Sequence, residues 1–257
     1  MEQDEKAILE LWKKYYDHPL DKLSYGGDGT LLRKIHFDLS KDKTNLCKNL
    51  YYPIRNYGRC EIHQDPSVVL PNPVNNPNTF NITKCYALEC EVEIKSRDYC
   101  IEYDAMSEFV LKNEDPSECL RLDISVNDNM IYKNVMCDGL IIASPNIGSH
   151  GYFKSVTRTT FKQGIGLAFL NPTYGITNCI LKESDYINIT ITRDTRVHLT
   201  RDKFTTIFNC NDPNDCVFRF VMSTIKYARI VGYNTFMCPK CRYLRNSTML
   251  LNDQYIL

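Results

Sequence analysis

Tyr25-Gly26-Gly27-Asp28-Gly29-Thr30-Leu31-Leu32, residues 25–32, decides how the chain begins to fold. Its closely spaced glycines allow positive φ and let the backbone approach a ligand closely. The run Leu31–Phe37 that follows predicts a helix. Free N–H groups in such a loop, at a helix N-terminus, point at an anion, normally a phosphate. Asp28 does not suit pure anion binding, because a carboxylate repels phosphate. It suits a base for a substrate hydroxyl, or an indirect partner of Mg²⁺. The same residue types also make a plain surface turn. No Gly-Lys-Ser/Thr follows, so this is not a Walker A loop.

Before the loop, Ile8, Leu11, Trp12, Tyr15 and Tyr16 recur with helical spacing and predict a helix over 3–17, stopped by His18-Pro19. After it, Leu50–Ile54 predicts a short strand. Residues 64–79 carry four prolines and four asparagines, a composition that breaks helices and central strands and predicts a linker. Beyond residue 82 the texture changes. Leu120, Leu122, Ile124 and Val126 alternate with polar residues, and so do Ile187, Ile189 and Ile191. Both are half-buried strands of an antiparallel sheet. Further strands are predicted near 84–94, 106–111, 130–135, 139–144, 165–170, 195–199 and 203–208. Asp212-Pro213 reads as a helix start. Val217, Phe218, Phe220, Val221, Ile225, Ala228 and Ile230 read as an apolar helix ending near Gly232. The expected domains are a reduced α/β unit over 1–65, a β-rich unit over 80–205 and a C-terminal helical segment over 206–257.

The 257 residues are 43% hydrophobic and 24% charged, enough apolar material for a substantial core. Lys+Arg and Asp+Glu are 31 each, which argues against general nucleic-acid binding and against a polybasic membrane anchor. No apolar run predicts a transmembrane helix, and the acidic N-terminus does not resemble a secretory signal. The 12 cysteines are therefore expected to be reduced thiols in a cytoplasmic protein, and the sequons at Asn81, Asn188 and Asn246 to be silent. Cys238-Pro239-Lys240-Cys241 is a CxxC knuckle that Cys210 and Cys216 could complete as a structural zinc site. The Cys210–Cys216 spacing is wider than usual, and buried thiols are the plainer reading. His198, between Val197 and Leu199, reads as a strand residue.

Two further clusters carry chemistry. Ala105-Met106-Ser107-Glu108-Phe109-Val110-Leu111 places Ser-Glu at the mouth of a strand, where the plain reading is a solvated strand end. Residues 138–155, DGLIIASPNIGSHGYFKS, run from a buried strand into a turn where Ser149, His150 and Tyr152 offer hydroxyl, imidazole and ring. Taken alone, that turn is also compatible with a purely structural loop.

The three clusters, in this order, resemble the NAD kinase family. GGDGTLL at 26–32 is similar to the family's GGDGT loop, AMSEFVL at 105–111 to its ALNEVVI strand, and 138–155 to its DGLIVSTPTGSTAY segment. Ser107 stands where the family has Asn, His150 replaces Thr, Gly151 replaces Ala, and one residue is inserted near Asn146-Ile147. The resemblance implies an α+β, two-domain fold: a Rossmann-like N-terminal domain, an antiparallel β-rich domain, and a C-terminal helix packing back on the first. It implies that Asp28 is catalytic, orienting or deprotonating the adenosine ribose 2′-hydroxyl of NAD, with Mg²⁺-ATP as phosphoryl donor. Nucleotide contacts fall to Gly27, Gly29, Thr30, Tyr57, Ser107, Glu108, Asp138, Ser149, His150, Gly151, Tyr152 and Ser155. It also implies a homodimer or homotetramer. Only 25 residues precede Gly26, and the family's NxGxxGF stretch is reduced to Asn56-Tyr57-Gly58-Arg59-Cys60. A non-catalytic NAD(H)- or NADP(H)-binding protein on the same fold is the alternative. A lipid kinase of the diacylglycerol type fits less well, because no second glycine-rich segment follows GGDGT.

Overall fold

The computed structural model describes residues 2–15, 19, 21–41, 46–55, 82–193 and 195–231. The 64–79 linker, Tyr57, and the Cys238/Cys241 pair lie outside them. The described chain falls into two units. One is built from residues up to Lys84 together with Ala228–Val231, the other from Cys85–Tyr227.

The first unit starts with α1 (Glu2–Tyr15). It continues as a βαβ arrangement of β1 (Asp21–Gly26), α2 (Asp28–Lys41) and β2 (Leu50–Arg55). β1 and β2 are parallel, with Asp21 opposite Leu50, and β2 also runs parallel to the chain at Arg229 and Ile230. Helix α2 forms because Leu31, Ile35 and Leu39 recur at every fourth position and bury one stripe. Trp12 of α1 meets the Tyr52 ring edge-on at 6.4 Å, beside Leu23, Tyr25, Ile54 and Val231. β1 is weakly apolar for a core strand. Among the described residues it pairs with β2 alone, and an edge position asks less of its side chains.

The second unit contains two antiparallel sheets sharing one core. One sheet has the order β10-β9-β8-β5-β12-β13. Its strands are β5 (Glu108–Asn113), β8 (Gly139–Ala143), β9 (Ile165–Leu170), β10 (Cys179–Leu181), β12 (Thr195–Arg201) and β13 (Phe204–Cys210). The other contains β6 (Leu120–Val126), β7 (Asn129–Cys137), β11 (Ile187–Ile191) and the part of β14 (Cys216–Val231) up to Tyr227. β3 (Ile82–Ile94) and β4 (Tyr99–Ala105) attach to it. The alternation in β6 and β11 does what it predicts: Leu122, Ile124, Ile187, Ile189 and Ile191 are fully buried. Phe109 packs on Phe220 at 5.4 Å, and Phe208 meets Phe218 edge-on at 5.5 Å, tying the two sheets together.

The expected C-terminal helix is corrected. Asp212-Pro213 opens a turn closed by the Asp215 N–H donating to the Asp212 carbonyl (3.2 Å), and Cys216–Val231 is the long strand β14. The apolar run suited either structure. Paired with β11, the segment alternates: Cys216, Phe218 and Phe220 are buried while Arg219 between them is exposed. Aromatic and β-branched side chains favour the strand. The expected strand at 106–111 begins later, because Met106 and Ser107 form a corner. β4 ends at Ala105, and β5 begins at Glu108.

Candidate active site

In the first unit the glycine-rich loop joins β1 directly to α2. Gly26 has φ +150, and a Cβ there would lie 2.6 Å from Thr30 Oγ1, so only glycine lets the strand turn into the helix here. Nothing lies within 4 Å of a Cβ built on Gly27, so that face of the loop is open. Asp28 opens the first turn of α2, Gly29 follows it, and the Thr30 N–H closes the turn onto the Gly27 carbonyl at 2.7 Å. The loop therefore stands at the carboxyl end of a parallel strand and the amino end of a helix, where the helix dipole favours a phosphate.

In the second unit Ser107, Glu108 and the 144–155 segment come together. The corner at Met106–Ser107 has every backbone polar group satisfied. Both N–H groups donate to the Asp202 carboxylate, at 3.0 Å from Met106 and 2.7 Å from Ser107. The Met106 carbonyl accepts from Ser144 Oγ (2.7 Å) and the Ser107 carbonyl from the Ser144 N–H (2.8 Å). Gly148 packs directly onto this corner, and a Cβ on it would stand 1.9 Å from the Ser107 carbonyl oxygen. The glycine is there for contact.

Ser149 and His150 belong to a short 3₁₀ turn, Gly148–His150, and Tyr152 starts α3 (Tyr152–Thr157). Helix α3 lies on the outer face of the six-stranded sheet. Phe153 and Phe161 meet edge-on at 5.1 Å over Val110, Ile141, Ala143 and Ala168. Ser149 does not stand on an open turn: it is fully buried, and its hydroxyl turns inward to the carbonyls of Asn146 (3.1 Å) and Phe161 (2.9 Å). It shapes the loop. His150 is half-buried, and Gly151 and Tyr152 are exposed. Ser155 Oγ donates to the Tyr152 carbonyl at 2.7 Å.

Glu108 accepts from the Ser107 hydroxyl and from the Tyr152 N–H. Burial pushes its carboxyl up from 4.5 to about 7, and the Asp202 charge adds to that, against the lowering effect of the two donors. A Cβ on Gly151 would lie 2.7 Å from Glu108 Oε2, so the carboxyl occupies the space of an alanine methyl there.

At the far end of β5 from Glu108, and reached from α3 by Tyr152 and Ser155, opens a cleft of about 530 Å³, lined also by Lys112, Asp115, Glu118 and Asp138. The Lys112 ammonium lies 5.1 Å from the Tyr152 ring centre and 3.4 Å from its hydroxyl. Asp138 is exposed at the rim, accepting from Asn171 Nδ2 at 2.7 Å. The Tyr152 ring and the polar rim suit a flat ligand, while the carboxylates of Asp115, Glu118 and Asp138 against Lys112 favour its hydroxyl and amino groups over a phosphate. The motifs did not single out Lys112 or Asp202. Only the fold brings Asp202 to the corner, from 95 residues away.

Cys210 and Cys216 are fully buried neighbours in the core, and the Cys216 thiol donates to the Asn209 carbonyl at 3.9 Å. Among the described residues no group of three or more His, Cys, Asp and Glu could hold a metal ion. His198 is a β12 residue, 3.7 Å from Glu114 Oε1.

No protein-family profile matches the sequence. A curated NAD kinase of Finegoldia magna is 28% identical over 155 residues, covering 58% of this chain and 52% of that protein. The match thus spans about half of the relative's length. Among solved structures, yeast NADH kinase complexed with NADH superposes with a TM-score of 0.70 at 18% identity, covering 92% of this chain and 67% of the other. An Archaeoglobus fulgidus NAD kinase in complex with ATP superposes with a TM-score of 0.63 at 17% identity, covering 90% of each. The fold is that of the NAD kinases. No helix among the described residues is long and apolar enough to cross a membrane.

Proposed function

We propose that the chain is an NAD kinase, transferring the γ-phosphoryl group of ATP to the 2′-hydroxyl of the adenosine ribose of NAD. The observation that carries this reading is the strand–GGDGT–helix junction, with Asp28 on the first turn of α2. The amides of Gly27 to Thr30 and the α2 dipole would hold phosphates. Asp28 would take the proton from the 2′-hydroxyl as its oxygen bonds to the γ-phosphorus and the bond to ADP breaks. Mg²⁺ would enter with ATP as part of the substrate and would neutralise charge on its phosphates. In the second unit, Glu108, Tyr152 and Asp138 would receive the dinucleotide, while the inward Ser149 hydroxyl would keep the loop in shape. Catalysis is then mainly positioning and charge neutralisation. The names of the relatives support NAD and ATP as substrates, and a homodimer or homotetramer is part of the proposal.

The test is NADP formation from NAD, ATP and Mg²⁺, read by an NADP-specific dehydrogenase, in the parent and in Asp28→Asn. General-base assistance contributes about 10² to 10⁴ in rate, and the loss should fall in kcat with NAD affinity retained. Turnover unaffected by the substitution would refute the role of Asp28. NAD binding without turnover in the parent would select a dinucleotide-binding protein instead.

A further inference from the structure

Asp202 lies in the tight β12–β13 turn at φ +49, a left-handed position that Asp and Asn tolerate best among non-glycine residues. One of its carboxylate oxygens accepts from the Met106 N–H and the other from the Ser107 N–H, while its own N–H donates to the Glu108 carbonyl at 3.1 Å. Three consecutive residues are thus held by one side chain and its backbone. That clamp ends β4, turns the chain, and starts β5 with Glu108 directed at Gly151 and the N-terminus of α3. A bond between a carboxylate and backbone N–H groups is charge-assisted and stronger than a neutral one.

We propose that Asp202 is a positioning residue, clamping the Met106–Ser107 corner so that Glu108 is presented to the nucleotide-binding loop. The proposal rests on Glu108 contacting the dinucleotide. Among the described residues, several groups face Glu108. From the β12–β13 turn comes the Asp202 charge, from its own corner the Ser107 hydroxyl, and from α3 the Tyr152 N–H. β8 opposes it with Ala143. His150 is the neighbouring titratable side chain on the loop, and the Arg201 guanidinium lies over Tyr103, 4.3 Å from its ring centre. Burial first, and Asp202 next among the charges, keep the Glu108 proton on toward neutral pH. A protonated Glu108 both donates and accepts, and adds no negative charge against a pyrophosphate. Affinity for the dinucleotide should therefore fall as pH rises through about 7.

Asp202→Asn keeps a side chain suited to the left-handed turn, keeps one acceptor and removes the charge. Glu108 is titrated in the full chain by ¹³C-carboxyl NMR, with Glu108→Gln identifying its signal. NAD affinity is measured by calorimetry from pH 5.5 to 8.5. In Asp202→Asn the Glu108 midpoint should move to lower pH. The fall in NAD affinity should move with it, so that the Kd at pH 7 rises several-fold. A Glu108 midpoint unchanged by the substitution overturns the proposal, as does a shifted midpoint with an unchanged NAD affinity profile. Absence of NAD binding by the parent at every pH refutes the dinucleotide reading itself, a separate outcome from either of these.

Discussion

Replacing Glu108 by Gln should make the protein more stable, and increasingly so as pH rises. The Glu108 carboxyl goes from 4.5 when free to about 7 in the fold, chiefly because burial disfavours its charge. A group whose folded value is raised holds its proton more tightly in the native state, so native stability falls as pH climbs from 4.5 to 7. At about 1.4 kcal/mol for each pH unit, the cost of ionising Glu108 reaches about 3 kcal/mol above pH 7 and is absent below pH 4. Gln removes that cost. Its amide oxygen can still accept from the Ser107 hydroxyl and the Tyr152 N–H. A chain of this size gains about 2–4 °C in Tm per kcal/mol, so the variant should melt several degrees above the parent at pH 8 and level with it at pH 4.5. Differential scanning calorimetry over that range checks it. Melting temperatures of parent and variant that stay parallel from pH 4.5 to 8 would refute the reasoning, because Glu108 would then not be titrating as its burial requires.

Gly148→Ala drives a Cβ to 1.9 Å from the Ser107 carbonyl and should cost about 3 kcal/mol or more in urea unfolding; a loss under 1 kcal/mol would mean that the corner yields easily. Gly151→Ala meets only the far end of the Glu108 side chain, at 2.7 Å, so stability should hold within about 1 kcal/mol while NAD affinity by calorimetry changes as the carboxyl is displaced. Lys226 holds Asp104 at 2.6 Å and Glu89 at 3.1 Å, and those carboxylates outweigh the opposing effect of burial and raise its pKa. Lys226→Met removes the cation from beside the buried Asp104 carboxylate and should cost about 3 kcal/mol in urea unfolding at pH 7, and a neutral result would show the pair to be open to water.

The sequence exposes features set by neighbours along the chain. The α2 stripe of Leu31, Ile35 and Leu39, the alternation in β6 and β11, and the glycines around Asp28 are all local patterns, and each forms the element it suggests. The apolar residues of Cys216–Val231 satisfy a helical and an alternating pattern at once, and Asp212-Pro213 imitates a helix cap. Pairing with β11, where Ile187 faces Phe220, decides it, and such pairing cannot be read from one segment. The candidate site divides in the same way. Motif spelling brings out Asp28 and Glu108. It does not reveal that Ser149 faces inward, nor that Asp202 reaches Ser107 across 95 residues, because both depend on how the sheet order folds the chain back on itself.

Functional corners are often drawn from the loosest parts of a protein. The break between β4 and β5 is different, since all four backbone polar groups of Met106 and Ser107 are engaged and both residues are buried. Amide protons there would trade with deuterium as slowly as those of the central strands, though they belong to no ladder. A molecule docking on Glu108 would meet an edge already set in its working shape. Little ordering entropy would then be spent at that edge on association, and exchange protection at Met106 and Ser107 would be nearly the same with the ligand as without it.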